Sequence, residues 1–205
     1  DFCDILEVDE NNFAVAFADI SGHGIPASLL STMLKVYILN YGYDIKDTAK
    51  LTETLNEDVI RVFPRGKFIS LFYLMIDFHN NRMKFCKAAQ ESAFLLRGET
   101  GEIEELSTEG QVLGLFSKID FPDIVNFEEK STDFNKRDKL LLYTDGIVEA
   151  RNADGEFFGI ERIKEILLES KNSDDILDII LKELYKFTES EKLEDDLTFL
   201  LIERD

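Results

Sequence analysis

Tryptophan is missing altogether, and only two cysteines (Cys3, Cys86) and two histidines (His23, His79) occur in 205 residues. Two thiols without metal-ligand spacing make neither a disulfide framework nor a thiolate metal site. Both are expected to be buried small hydrophobes in a reducing compartment. Basic side chains are also scarce: 23 Lys and Arg stand against 42 Asp and Glu, for a net charge of −19. Such a chain repels polyanions, which argues against nucleic acid as a partner. No apolar run approaches the roughly 20 residues of a membrane span, and no basic, apolar, small-residue leader opens the chain. The expectation is a cytoplasmic protein without direct membrane insertion.

What is present suits one folded domain: 44% hydrophobic and 32% charged residues, with 17 Phe and 6 Tyr as bulky core material. Strands are expected over about 3–8 and 12–19, the second apolar enough from Phe13 to Ala18 to be buried on both faces. Asp19-Ile20-Ser21-Gly22-His23-Gly24 then forms a tight turn. Pro26 is expected to open a helix reaching about Tyr41, with Leu29, Leu30, Met33, Val36, Tyr37 and Asn40 at helical spacing. A second helix, about 47–63, has Asp47 as N-cap and a stripe of Leu51, Leu55, Val59 and Val62. Strands follow over about 68–78, 83–90, 93–98 and 103–107, with Asn80-Asn81 as a hairpin turn and one more strand near 124–129. Lys139–Thr144 reads as a strand ending at Asp145-Gly146. Helices near 158–169 and 173–189 precede a last strand, Leu197–Glu203, which Glu194-Asp195-Asp196 introduces. Antiparallel strands dominate and helices come in pairs. This favours an α+β fold: a central sandwich of two antiparallel sheets flanked by pairs of helices. Regular βαβ alternation is absent, which disfavours a dinucleotide-binding sheet.

One design recurs. Apolar strand sequence delivers an aspartate to its end at Asp19 and at Asp145, and Asp195 stands at the mouth of the last strand; Asp1 and Asp4 add to the set. Gathered without a cation these carboxylates repel one another. Gathered around Mg²⁺ or Mn²⁺ they are hard oxygen ligands, and two such cations can activate water and neutralise a phosphoryl group. Asp-Gly is also a common turn pair, so the residues alone leave two readings open, a cation site or ordinary turn aspartates.

Resemblance separates them. Asp19-Ile20-Ser21-Gly22-His23-Gly24-Ile25-Pro26-Ala27 resembles the D-x-S-G-x-G-x-P-A segment of bacterial PPM-type (protein phosphatase 2C-like) phosphatases, in the branch of the stage II sporulation and stress-response phosphatases. Leu142-Tyr143-Thr144-Asp145-Gly146-Ile147-Val148-Glu149-Ala150-Arg151-Asn152 is similar to that branch's L-Y-T-D-G-[VI]-x-E-A-R-N, Gly155–Gly159 to its G-E-x-F-G, and Asp195-Asp196-Leu197-Thr198 to its D-D-x-T. Asp1-Phe2-Cys3-Asp4 resembles the remainder of G-G-D-x-x-D. The motifs run in order along the whole chain. The resemblance implies a single catalytic domain over residues 1–205, lacking its first N-terminal residues and an upstream sensor domain.

The resemblance also implies a two-metal phosphoserine/phosphothreonine hydrolase using Mn²⁺ or Mg²⁺. Asp1 would bridge the metals, Asp19 would ligate with help from the Ile20 carbonyl, and Asp145 and Asp195 would hold the second ion. Asp19 and Asp145 are the expected catalytic residues. A phosphorylated anti-anti-sigma-factor-like protein is the implied substrate, an upstream sensor or regulatory domain the implied controller, and a homodimer through the first two helices is compatible with the sequence. Two departures stand out. Ser21 replaces the His of the eukaryotic branch, and Lys87-Ala88-Ala89-Gln90-Glu91-Ser92-Ala93 replaces N-A-G-H-N-P-P, losing a Gly, a His and two prolines. The altered loop motivates an alternative, a catalytically weak or degenerate domain acting as a regulated binding module. An aspartyl-nucleophile phosphotransferase is a third reading, disfavoured because neither a D-x-D pair nor an alternating βαβ sheet is evident.

Overall fold

A computed structural model gives the structure and describes residues 1–190 and 195–204; Glu194, expected in the turn before the last strand, lies outside the described residues. In chain order the elements are β1 (Phe2–Glu7), β2 (Asn12–Ile20), α1 (Gly24–Tyr41), α2 (Thr48–Val62), β3 (Ile69–Asp77), β4 (Arg82–Ala88), β5 (Ala93–Leu96), β6 (Ile103–Leu106), β7 (Lys130–Asp133), β8 (Lys139–Tyr143), α3 (Asp145–Val148), α4 (Ile160–Glu169), α5 (Ile176–Thr188) and β9 (Phe199–Glu203). Two antiparallel sheets and five helices confirm the α+β class. The chain forms two compact units, Asp1–Gln90 with Ser107–Phe134, and Glu91–Leu106 with Asn135–Asp205.

The first unit holds the five-stranded sheet β1-β2-β3-β4-β7. Alternation along β2 puts Ala14, Ala16 and Ala18 on the face that α1 and α2 cover. Their small side chains admit Leu30, Leu34 and Ile38 of α1 and Leu51, Leu55 and Val59 of α2. Val15 and Phe17 on the other face are buried as well, so β2 is apolar on both sides, as its composition demands. Asp47 caps α2 as expected, its carboxylate accepting the Lys50 N–H at 2.8 Å, and Asn81 takes a left-handed φ of 54° in the β3–β4 turn.

The second unit holds the four-stranded sheet β6-β5-β8-β9. Phe94, Leu141 and Tyr143 face Ile163 and Leu167 of α4 and Ile180 and Leu184 of α5. Phe94 and Tyr143 stack with ring centroids 5.4 Å apart. Every residue of β8 is buried, including Lys139, whose ammonium reaches Glu203 at 3.2 Å and the Ser173 carbonyl at 2.9 Å. Among the described residues no helix is long and apolar enough to cross a membrane.

Four local expectations are corrected. α1 begins at Gly24, which makes Pro26 its third residue, and its buried stripe is Leu30, Leu34 and Ile38; Leu29 is 61% and Val36 48% exposed. The helix is apolar almost all round, with Lys35 its only charge, so spacing alone does not select the buried side. In α2 the expected stripe residue Val62, the last of the helix, is exposed, while Phe63 just after it is buried. No strand forms near 124–129; β7 lies at Lys130–Asp133, a polar edge strand paired only with β4. Cys3 is exposed, because its side chain alternates outward on edge strand β1, and only Cys86 is buried; burial pushes the Cys86 thiol up to about 11. Asp175 occupies the N-cap of α5 without a side-chain capping hydrogen bond.

The phase of α1 is directly testable. Leu34→Ala should cost about 2–5 kcal/mol in chemical denaturation, whereas Leu29→Ala should stay within about 0.5 kcal/mol.

Candidate metal centre

In the first unit the site begins near the end of β2, at its half-buried penultimate residue. Asp19 is half-buried, opposite Ser70 of β3. Phe2 pairs with Ala18, so Asp1 and Asp19 lie one residue beyond that pair on neighbouring strands. The turn after Asp19 is tied down by main-chain contacts. The Ser21 N–H donates to the Phe68 carbonyl at 3.0 Å, the Phe68 N–H donates to Ser21 Oγ at 2.9 Å, and Lys67 Nζ donates to the Ser21 carbonyl at 3.1 Å. Gly22 has φ +100°, and a Cβ there would stand 2.5 Å from Lys67 Nζ. Glycine therefore serves both the turn and the approach of the lysine. His23 is exposed and precedes α1 without a side-chain cap bond. Asp4 is ion-paired to Lys35 at 2.9 Å, which leaves it less available to a cation.

In the second unit Asp145 opens the single turn of α3 at the end of β8, where the sequence suggested only a strand end. Thr144 fixes this end: its N–H donates to the Thr198 carbonyl at 3.0 Å, and its Oγ1 accepts the Thr198 N–H at 3.2 Å. A Cβ on Gly146 would lie 2.1 Å from the Asp196 carbonyl oxygen and 3.8 Å from Asp195 Cβ. Only glycine lets the 195–196 segment approach at the residue that follows Asp145. Asp195 is exposed, and its Oδ1 accepts the Asp196 N–H at 2.8 Å. A 230 Å³ pocket beside it is lined by Gly146, Glu149, Ala150, Arg151, Phe157 and Asp195. Arg151 lies over the Phe157 ring at 4.0 Å and donates to the Gly155 carbonyl at 3.2 Å. Asn152 Oδ1 accepts the Asp154 and Glu156 N–H groups at 3.1 and 2.9 Å. The Arg-Asn pair of the motif thus braces its own turn.

The donor set fits a hard divalent cation. Among the described residues neither Asp19 nor Asp195 forms an ion pair with Lys or Arg, so their charge is open to a metal. Asp1 and Asp19 belong to the first unit, Asp145 and Asp195 to the second. Among the described residues no three His, Cys, Asp or Glu side chains form a group that could hold a metal by itself.

Two features escaped the sequence reading. Lys67 works through a main-chain carbonyl and carries no motif. The altered 87–93 loop keeps a glycine-like backbone: Ala89, at the family's Gly position, has φ +53°, and its N–H donates to the Gly110 carbonyl at 3.0 Å.

The family model described as stage II sporulation protein E (SpoIIE) matches residues 9–205. The chain belongs to this family. Its fold is that of solved PP2C domains. Phosphoserine phosphatase RsbU of Bacillus subtilis (strain 168) is 24% identical over 198 residues, which cover 96% of this chain and 57% of that protein. The chain spans about half the length of the curated relatives it matches. Among solved structures, the SiaA-PP2C domain of Pseudomonas aeruginosa aligns with a TM-score of 0.79 at 18% identity, over 96% of this chain and 78% of that one. RsbX, crystallised in complex with magnesium, aligns with a TM-score of 0.66 at 20% identity, over 98% of this chain and 83% of that one.

Two variants test the geometry. Ala89→Gly should stabilise by about 1 kcal/mol in denaturant titration, because glycine relieves the left-handed strain. Ser21→Ala removes one tie to Phe68 and should cost about 1 kcal/mol; an unchanged midpoint would show that the tie contributes nothing.

Proposed function

We propose that this domain hydrolyses phosphoserine or phosphothreonine on a regulatory protein, with Asp1, Asp19, the Ile20 carbonyl, Asp145 and Asp195 as ligands for two Mn²⁺ or Mg²⁺ ions. The observation that carries the reading is the delivery of aspartates to the ends of β2 and β8 and to the approach of β9, in a chain of this family. When bound, two divalent cations lower the pKa of an adjacent water and offset the charge of the phosphoryl group. The chain's own residues do the positioning. Lys67, Ser21 and Phe68 hold the Asp19 turn, while Thr144 and Thr198 fix the end of β8 and Gly146 admits the 195–196 segment. Mg²⁺ is commonly held by one or two carboxylates plus waters and substrate phosphate, which suits open aspartate pairs better than a preformed cage.

The two units act as one catalytic domain in this reading, working in the cytoplasm under a regulatory domain. The substrate in this reading is an anti-anti-sigma-factor-like phosphoprotein; similarity to a protein named phosphoserine phosphatase supports the phosphoserine part of it. A regulator or a second copy would meet the outward side of α1, where Ile25, Leu29, Val36 and Leu39 are exposed. The binding-module alternative drew on the altered 87–93 loop, and the retained backbone of Ala89 weakens that motive.

The deciding experiment is hydrolysis of p-nitrophenyl phosphate and of a phosphoserine peptide with Mn²⁺, Mg²⁺ or EDTA. Turnover should require metal and fall by roughly 100-fold or more in Asp145→Asn. Absence of turnover with either metal, in a protein that binds Mn²⁺ by calorimetry, would favour the binding module. Turnover unaffected by EDTA would overturn the metal assignment.

A further inference from the structure

At the other end of β8 from Asp145, roughly 20 Å away at 3.3 Å per residue, the second unit has a 370 Å³ pocket where β5 ends, β8 begins and β9 ends. It is lined by four cations, Arg97, Arg137, Lys139 and Lys171, and by three carboxylates, Glu99, Asp174 and Glu203, in a chain with 42 acidic and 23 basic residues. Two of these cations are already paired and form its framework. Arg97 holds Asp138 at 3.0 Å and also Glu104, and Lys139 holds Glu203 at 3.2 Å. The other two, Arg137 and Lys171, are exposed and form no ion pair among the described residues. Glu99 and Asp174 also line the pocket and are exposed, so bulk solvent screens them.

The backbone shows that Arg137 is not placed there for the turn. It has φ +67°, a conformation in which Gly or Asn would be unstrained and a longer side chain is not. The turn is already closed by buried Asp138, whose carboxylate accepts the Asn135 N–H at 2.9 Å and the Gly98 N–H at 2.9 Å. Gly98 presses so close that a Cβ on it would stand 2.5 Å from Arg137 Cβ. Lys171 Nζ lies 2.9 Å from where a Gly101 Cβ would be, so glycine again makes room for a cation. Strain retained at a residue whose guanidinium has no ion-pair partner points to a function for that guanidinium.

We propose that this pocket binds the phosphate or pyrophosphate group of a small soluble molecule, with Arg137 and Lys171 as the contacting cations and the ion-paired Arg97 and Lys139 as its framework. A planar guanidinium fork and an ammonium suit a multiply charged oxyanion. A concave space of this volume suits a small ligand better than a protein surface. Because Lys139 begins β8 and Glu203 ends β9, the ligand would sit at the far ends of the strands that lead to Asp145 and Asp195.

The test uses the whole domain carrying Asp145→Asn, in EDTA, so that metal-dependent binding elsewhere is silent. Pyrophosphate is titrated and followed by calorimetry and by amide chemical shifts. Saturable binding is expected, with shifts centred on Gly98, Gly101, Arg137 and Lys171. Arg137→Gly and Lys171→Ala should each weaken it at least tenfold, while Arg137→Gly raises the melting temperature by relieving strain. Four results would overturn the proposal: shifts centred on residues 145–157 and 195–198, no saturation, affinity unchanged in Arg137→Gly, or binding of a phosphoserine peptide but not of pyrophosphate.

Discussion

An ionised carboxylate cannot occupy the middle of a strand that is buried on both faces, because desolvating it without a partner costs several kcal/mol. The same carboxylate at the strand's end keeps its water on one side. β2 and β8 are such strands, buried over most of their lengths, with Asp19 and Asp145 only half-buried at or just past their ends. The acidic residues proposed to bind metal are therefore where the cores permit them. The apolar interior of each sheet and the charge at its end form one design.

What holds these ends in place is mostly main chain. Ser21 and Phe68 exchange hydrogen bonds, Thr144 and Thr198 do the same, and Gly146 admits the Asp196 carbonyl. Such ties fix the strand ends without an ion pair to Asp19 or Asp195 among the described residues. Lys67 illustrates this: its ammonium is directed to a carbonyl two residues beyond Asp19. The low count of basic side chains acts in the same direction. Arg97 and Lys139, two of the more buried cations, are paired within the second unit, away from the aspartate-bearing ends.

Much of this was legible in the chain. The apolar runs of β2 and β8, the Asp47 cap, the Asn80-Asn81 turn and the motif aspartates follow from local chemistry that the residues carry with them. Where local chemistry was ambiguous the reading slipped. α1 is apolar on nearly every side, so its buried face was misassigned; β7 is polar because it is an edge, and edges carry no apolar signal; Cys3 is exposed because alternation on β1 turns it outward. The 87–93 loop lost its family residues yet kept its backbone, because the hydrogen bond from Ala89 to Gly110 fixes φ from across the fold.

The sequence by itself determined the α+β class, the family and which aspartates end which strands, since these depend on composition and order along the chain. Only the tertiary structure decided the face that α1 buries, the tie between Lys67 and Ser21, the close approach that makes Gly146 obligatory and the pocket around Arg137. Each of these joins residues far apart in the chain, and such contacts exist only once packing has fixed the distance between them.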